Sequence, residues 1–318
     1  MYLQLLIDNL LNPALLFFIL GIVAVRLKSD LEIPKSSSRF ISMYLLLSIG
    51  FNGGQELSHS TFNFDIVSTL SFGVLISLLI PIYVFFITKK KMGVDNAGAI
   101  SASYGSVSAV TFVTAITFLE MCGIEFNGYM VASLALMEAP AIIMGVLLNK
   151  YYSKEKKRVS VPKLLKHSLT NGSVLLILSS LIIGLLANEQ QAMDIKPFTT
   201  DIFKGFLAIF LLDMGITSGK KLKSFFKNGW FTTASAIGFS LFNGCLIALL
   251  SGLFMEDIGN RFLITVLASS ASYIAVPAAM KLSIPKANPG IYLPMALAIS
   301  FPLNITLGFP IYYYLCNL

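Results

Sequence analysis

Apolar residues occupy this chain in blocks too long for the core of a water-soluble domain. They fall at about 12–27, 38–54, 64–88, 95–119, 128–150, 168–187, 200–218, 228–254, 261–282 and 289–316. The hydrocarbon core of a bilayer is about 30 Å thick, and roughly 20 apolar residues in a helix cross it. Water is absent there, so a crossing segment must satisfy its backbone groups internally, as a helix does. The pattern predicts an all-α integral membrane protein with ten transmembrane helices.

The polar links between the blocks set an orientation. Arg26, Lys28, Lys35 and Arg39 follow the first block, and Lys89, Lys90 and Lys91 follow the third. The central stretch and its edges hold Lys150, Lys154, Lys156, Lys157, Arg158, Lys163 and Lys166. Lys220, Lys221, Lys223 and Lys227 follow the seventh block, and Lys281 and Lys286 the ninth. Of 23 basic residues only Lys196, Lys204 and Arg261 lie in the alternate links. Basic links mark the cytoplasmic side. The expected location is therefore the cell (inner) membrane, multi-pass, with both termini outside and the central link inside.

The chain also repeats itself. Gly50 and Gly54 match Gly215 and Gly219 at a spacing of 165. Gly105-Ser106-Val107-Ser108 matches Ser269-Ser270-Ala271-Ser272 at 164, and Glu138-Ala139-Pro140 matches Ser300-Phe301-Pro302 at 162. This divides the chain into a first five-helix repeat (1–152), a cytoplasmic linker (153–166) and a second five-helix repeat (167–318). An odd number of crossings inverts the second repeat, and inverted repeats are characteristic of secondary transporters, with the site between the halves.

Composition agrees with membrane embedding. Of 318 residues 56% are hydrophobic and 12% charged, with mean hydropathy +0.79; soluble domains carry about 25% charged residues. The net charge of +7 follows from the basic links, so no nucleic-acid partner is expected. Cys122, Cys245 and Cys316 form no metal or redox motif and read as buried structural thiols. Met1 to Leu11 lacks a basic leader, so no cleavable signal peptide is expected. His59 and His167 sit at loop edges. Neither a His-Glu-x-x-His pair, a Gly-x-Ser-x-Gly elbow nor a Walker loop occurs, so neither an enzyme nor an ATP-driven pump is expected, and no cofactor is expected.

Two blocks carry small hydroxyl residues in mid-span, around Ser101 to Thr111 and Ser269 to Tyr273. One reading is a pair of discontinuous crossing helices whose freed N–H groups and positive N-termini hold an anion. The other is close packing through small residues. The first makes Gly105, Ser106, Val107, Ser108, Ala109, Ser270, Ala271, Ser272 and Tyr273 the candidate substrate site. Arg26, Arg39 and Arg261 sit at block edges and Arg158 in the central link, so the anion would be held by N–H groups and hydroxyls. Glu138 lies mid-block before Pro140, and a carboxylate at that depth costs about 2.5–3.5 kcal/mol on insertion scales. With Ser108, Thr111, Ser269 and Asn304 it offers hard oxygen ligands for sodium. Interhelical hydrogen bonding is the alternative for Glu138 and Asn304. Asp213 either lines a water-filled path or serves the fold alone. Gly50, Gly53, Gly54, Gly215 and Gly219 either allow bending and sliding or permit tight packing.

These residues resemble the sodium-dependent bicarbonate transporter family along nearly the whole chain. The resemblance is carried by Asn12-Pro13-Ala14-Leu15, Gly105-Ser106-Val107-Ser108, Thr117-Phe118-Leu119-Glu120, Glu138-Ala139-Pro140 and, above all, Ile284-Pro285-Lys286-Ala287-Asn288-Pro289. It implies an elevator-type transporter with a mobile core (blocks three to five and eight to ten) and a gate (one, two, six and seven). It also implies a homotrimer and a PII-like cytoplasmic regulator. Cyanobacterial members carry aspartate where this chain has Tyr273, serine and glycine at Ala275 and Val276, and aspartate at Glu138, so this chain resembles a non-cyanobacterial relative. The leading expectation is a sodium-coupled symporter of a small anion, with bicarbonate first. A carrier of another small organic or inorganic anion, or a non-transporting membrane receptor, stays open.

Overall fold

In the computed structural model, described for residues 11–58, 64–153, 166, 170, 172–225 and 229–318, the chain is helical, and the described residues contain no strand. The helices are α1 (Pro13–Arg26), α2 (Lys35–Ser58), α3 (Phe64–Met92), α4 (Val94–Gly105), α5 (Ala109–Cys122) and α6 (Tyr129–Tyr152). They continue as α7 (Gly172–Leu186), α8 (Glu189–Lys196), α9 (Phe203–Phe225), α10 (Trp230–Ser251), α11 (Ile258–Ser269), α12 (Ala275–Ser283) and a last segment, α13 (Pro289–Cys316). His59, His167 and most of the 153–166 link lie outside the described residues.

Six stretches are long and apolar enough to cross a bilayer: Phe64–Met92, Val94–Cys122, Tyr129–Tyr152, Glu189–Leu222, Trp230–Ser251 and Pro289–Cys316. Pro13–Arg26, Gly172–Leu186 and Ile258–Ser269 are apolar but shorter. Ten blocks thus resolve into six helices that meet the requirement alone and others that do not. The difference has a physical basis. α2 is 24 residues long but has charged or amide side chains at both ends, including Lys35, Arg39, Gln55 and Glu56. α11 is one half of an interrupted segment.

Local sequence explains the helix starts. Asn12 caps α1 by accepting from the Ala14 N–H at 2.9 Å, and Pro13 fills the first position, where no N–H is needed. Asn288 repeats the device, accepting from the Gly290 N–H at 2.8 Å ahead of Pro289. Its own N–H donates to Asn96 Oδ1 at 2.8 Å, tying α13 to α4. Two of the resemblance motifs are therefore helix caps. Within α13, π-helical turns at Met295–Ser300 and Asn304–Gly308 adjoin Pro294, Pro302 and Pro310. A proline supplies no N–H to the preceding turn, so the hydrogen-bond register shifts there.

The packing is sorted into groups. α1 lies along α9 and α2 along α7; α3, α4 and α6 pack together, as do α10, α11 and the end of α13. The two long pairs use glycine. A Cβ on Gly215 would stand 2.1 Å from the Phe18 carbonyl oxygen, and one on Gly54 2.1 Å from the Leu181 carbonyl oxygen. Gly21 and Gly184 receive the partner backbones in return. Hydrocarbon drives no apolar association between helices, so close backbone approach supplies the attraction. Tight packing is the role these glycines play in the structure.

Candidate functional site

The site is built from two helix interruptions. α4 ends at Gly105, Ser106 and Val107 are non-helical, and α5 restarts after its N-cap Ser108. α11 ends at Ser269, and α12 restarts at Ala275. Neither Ser106 (ψ 178°) nor Ser270 (ψ 167°) continues its helix; both are extended. Small residues make this possible, because no bulky side chain has to be placed where the backbone turns out of the helix.

The interruptions are bonded to each other. The Ser272 N–H donates to the Ser103 carbonyl at 2.8 Å, and Ser103 Oγ donates to the Ser272 carbonyl at 2.6 Å. The Ser108 N–H donates to Ser270 Oγ at 2.9 Å, and the Tyr273 hydroxyl donates to Met214 Sδ at 3.8 Å. Ser108 Oγ accepts from the Thr111 N–H at 3.2 Å, capping α5. The sequence reading missed Ser103, although it lies in the same hydroxyl run. Gly105 serves packing on the side that lacks a Cβ: an added one would meet Pro81 Cγ at 2.2 Å.

Donors remain. Among the described residues the N–H groups of Val107, Ala109 and Val110, and of Ala271, Tyr273 and Ala275, make no backbone hydrogen bond. Those of Ala109, Val110 and Ala275 lie in the first turn of a helix and carry the positive end of its dipole. Ser106 is fully buried, and its hydroxyl has no partner. Ser272 is 3% exposed. An arrangement of N–H groups and hydroxyls with no cationic side chain can hold a small oxyanion.

The candidate sodium ligands are only partly gathered. Ser108, Thr111 and Ser269 belong to the interruptions and are buried. Asn304 reaches them: its Nδ2 donates to the Ser269 carbonyl at 3.0 Å, and its Oδ1 accepts from the Tyr312 hydroxyl at 2.9 Å. Its amide is thereby used to hold the end of α11. Glu138 makes no hydrogen bond with Ser108, Thr111, Ser269 or Asn304, and its Oε1 is buried without a partner. At Ser300, which the sequence matching pairs with Glu138, Oγ sits 2.6 Å from the Tyr104 hydroxyl.

A cavity of about 600 Å³ leads to the second interruption. Tyr273 and Ile274 form one wall, Asp213 and Met214 of α9 another, and Lys35 and Lys220 stand among its polar lining. Asp213 is 7% exposed and accepts from Ser38 Oγ at 2.5 Å, so it lines a cavity as well as tying α2 to α9. A second cavity, of about 380 Å³, lies beside the Lys204–Glu120 ion pair (2.9 Å) between α9 and α5. Among the described residues no three His, Cys, Asp or Glu side chains gather as a metal centre.

Six long apolar helices, two interruptions and a cavity that reaches the second of them are those of a multi-pass membrane protein. The chain belongs to the Na+-dependent bicarbonate transporter superfamily, whose family model matches residues 13–317, nearly the whole length. No curated protein matches the chain.

Proposed function

We propose that this protein is a sodium-coupled symporter of a small anion, bicarbonate first, working by alternating access. Ser106 carries the reading. It is a buried hydroxyl with no partner, placed between two mutually bonded interruptions, in a chain of this superfamily. Buried polar groups are normally satisfied, so this one is poised for a ligand.

The anion lies between Gly105–Ala109 and Ser270–Tyr273, held by free N–H groups, Ser106 and Ser272. A helix N-terminus contributes about 0.3–1 kcal/mol, and each hydrogen bond to a charged group about 1.5–3 kcal/mol. These terms suit a compact oxyanion with every oxygen in reach of a donor. A sodium ion alongside supplies the missing positive charge, which is the physical reason for coupling. Ser108, Thr111 and the Ser269 carbonyl surround it, Asn304 holds that carbonyl in place, and Glu138 supplies the carboxylate when the ion is present.

Ten crossings in two inverted five-helix repeats support this cycle. The reading is supported by the packing of α1 on α9 and of α2 on α7, first crossing with seventh and second with sixth. They form a gate against which the core bearing the interruptions moves. With the lysine-rich links in the cytoplasm, the 600 Å³ cavity opens inward. A homotrimer joined through the gate, with a PII-like regulator on the cytoplasmic face, completes the proposal. Calorimetric titration of the purified protein with bicarbonate, in sodium and then in potassium, tests it. Binding in sodium alone is expected; equal binding in both salts overturns the coupling.

A further inference from the structure

The groove between α3 and α10 belongs to neither the interruptions nor the cavities beside them. Its volume is about 1070 Å³, and its walls are almost wholly apolar, with Leu79 and Ile87 on α3 facing Phe231 and Phe242 on α10. The two helices do not close on each other here. Gly238 lines the groove, and a Cβ added to it would meet nothing within 4 Å, so the missing side chain deepens an open space. Tyr83 donates to Asn243 at the floor, which keeps the polar groups there satisfied by each other.

The two ends differ. At one, the Phe72 ring stacks on Phe254 at 4.1 Å and Ser68 Oγ donates to the Phe254 carbonyl, closing the groove. At the other stand Lys89, Lys90 and Lys91. Lys89 is held over Phe86 and Tyr152. Lys91 lies at the mouth, its ammonium 4.4 Å from the Phe231 ring centroid and 5.2 Å from that of Trp230. No carboxylate of the described residues pairs with Lys91. The N-cap of α10, Gly229, places no side chain on the first N–H groups of that helix.

We propose that this groove is a binding site for an anionic phospholipid, with an acyl chain over Gly238 and the phosphate at Lys91 and the first turn of α10. The occupant follows from the polarity. A long apolar slot with cationic groups at one end only matches an amphiphile with one anionic end. The depth fits as well: Trp230 to Gly238 is about 12 Å of helix, within one leaflet of a hydrocarbon core about 30 Å thick. Basic pockets between crossing helices are known headgroup sites. The inference does not depend on what the interruptions bind.

Trp230 is the only tryptophan in the chain, and it is 75% exposed at the groove mouth. The full chain is reconstituted in phosphatidylcholine vesicles doped with acyl-brominated phosphatidylglycerol or acyl-brominated phosphatidylcholine, and quenching of Trp230 is followed. Brominated phosphatidylglycerol should quench at a mole fraction at least about fivefold lower, the factor that one interfacial lysine supplies. Lys91→Gln should erase that preference. Gly238→Leu should reduce quenching by both lipids in a folded protein. Parallel quenching by the two lipids would overturn the proposal, since that is ordinary lipid contact. So would absence of quenching by either, which would mean that protein covers the groove, or a preference that survives Gly238→Leu unchanged.

Discussion

Ser103 and Ser272 are bound to each other twice: the Ser272 N–H donates to the Ser103 carbonyl, and the Ser103 hydroxyl donates to the Ser272 carbonyl. The two residues are 169 positions apart and lie on different interrupted segments. Each uses the other to satisfy a backbone group that the interruption frees. Ser103→Ala should leave the Ser272 carbonyl without its hydroxyl donor. Such a loss costs about 1–3 kcal/mol in a buried site, and interhelical bonds in membranes average about 0.6 kcal/mol. The expected outcome is a small loss of stability in a detergent unfolding series, with a larger loss of anion binding. Unchanged binding would show that the pair does not shape the site.

Ser106 and Ser103 should behave differently. The Ser106 hydroxyl has no hydrogen-bond partner, so Ser106→Ala should fold as well as the parent and bind the anion several-fold more weakly. Ser106→Leu should abolish binding, since the position is fully buried between the interruptions. Titration calorimetry separates the two variants. A Leu variant that folds and binds normally places the anion elsewhere.

Glu138→Gln should keep the fold, because Oε1 makes no hydrogen bond to lose, and should flatten the dependence of uptake on sodium concentration. Neutral glutamine keeps the shape and removes the charge that would neutralise the ion. A sodium dependence identical to that of the parent in a well-folded variant removes Glu138 from the ion site.

Glycine variants test the packing. Gly215→Ala drives a methyl group against the Phe18 carbonyl and should reduce the yield of folded protein. Gly205→Ala, on the same helix with nothing within 4 Å, should be neutral or slightly stabilising, since alanine is favoured over glycine in a helix by about 1 kcal/mol. Thermal unfolding of the two in one detergent makes the comparison.

Much of this was legible in the primary structure. The hydroxyl runs offered interruptions as one of two readings, close packing being the other, and the helices break at 106–108 and 270–274. Asn12-Pro13 and Asn288-Pro289 announced helix starts through capping chemistry. The spacing of 165 singled out Gly50 and Gly215, both of which pack against a partner backbone, but not the partners Gly21 and Gly184, because a helix pairing is a property of two distant segments and leaves no local pattern. The use of Asn304 was hidden for the same reason: an amide in an apolar block is equally a ligand or a clamp until Ser269 and Tyr312 are seen beside it. The run at 38–54 underestimates α2, whose polar ends are held by neighbours. Tyr44 bonds to the Phe198 carbonyl at 2.6 Å, and Gln55 to the Ala187 carbonyl at 2.8 Å.

Orientation is open to direct test. On the proposed orientation, with the basic links in the cytoplasm, a cysteine at Ser153 should react with a membrane-impermeant maleimide only after the cell is opened. Labelling in intact cells would invert the assignment and turn the 600 Å³ cavity outward.

Uptake of labelled bicarbonate into liposomes holding the purified protein tests the central claim most directly. An inward sodium gradient should drive accumulation above equilibrium, a potassium gradient of equal size should not, and Ser106→Leu should remove the signal. Accumulation that ignores sodium would contradict coupling, and anion binding without any flux would make the protein a receptor.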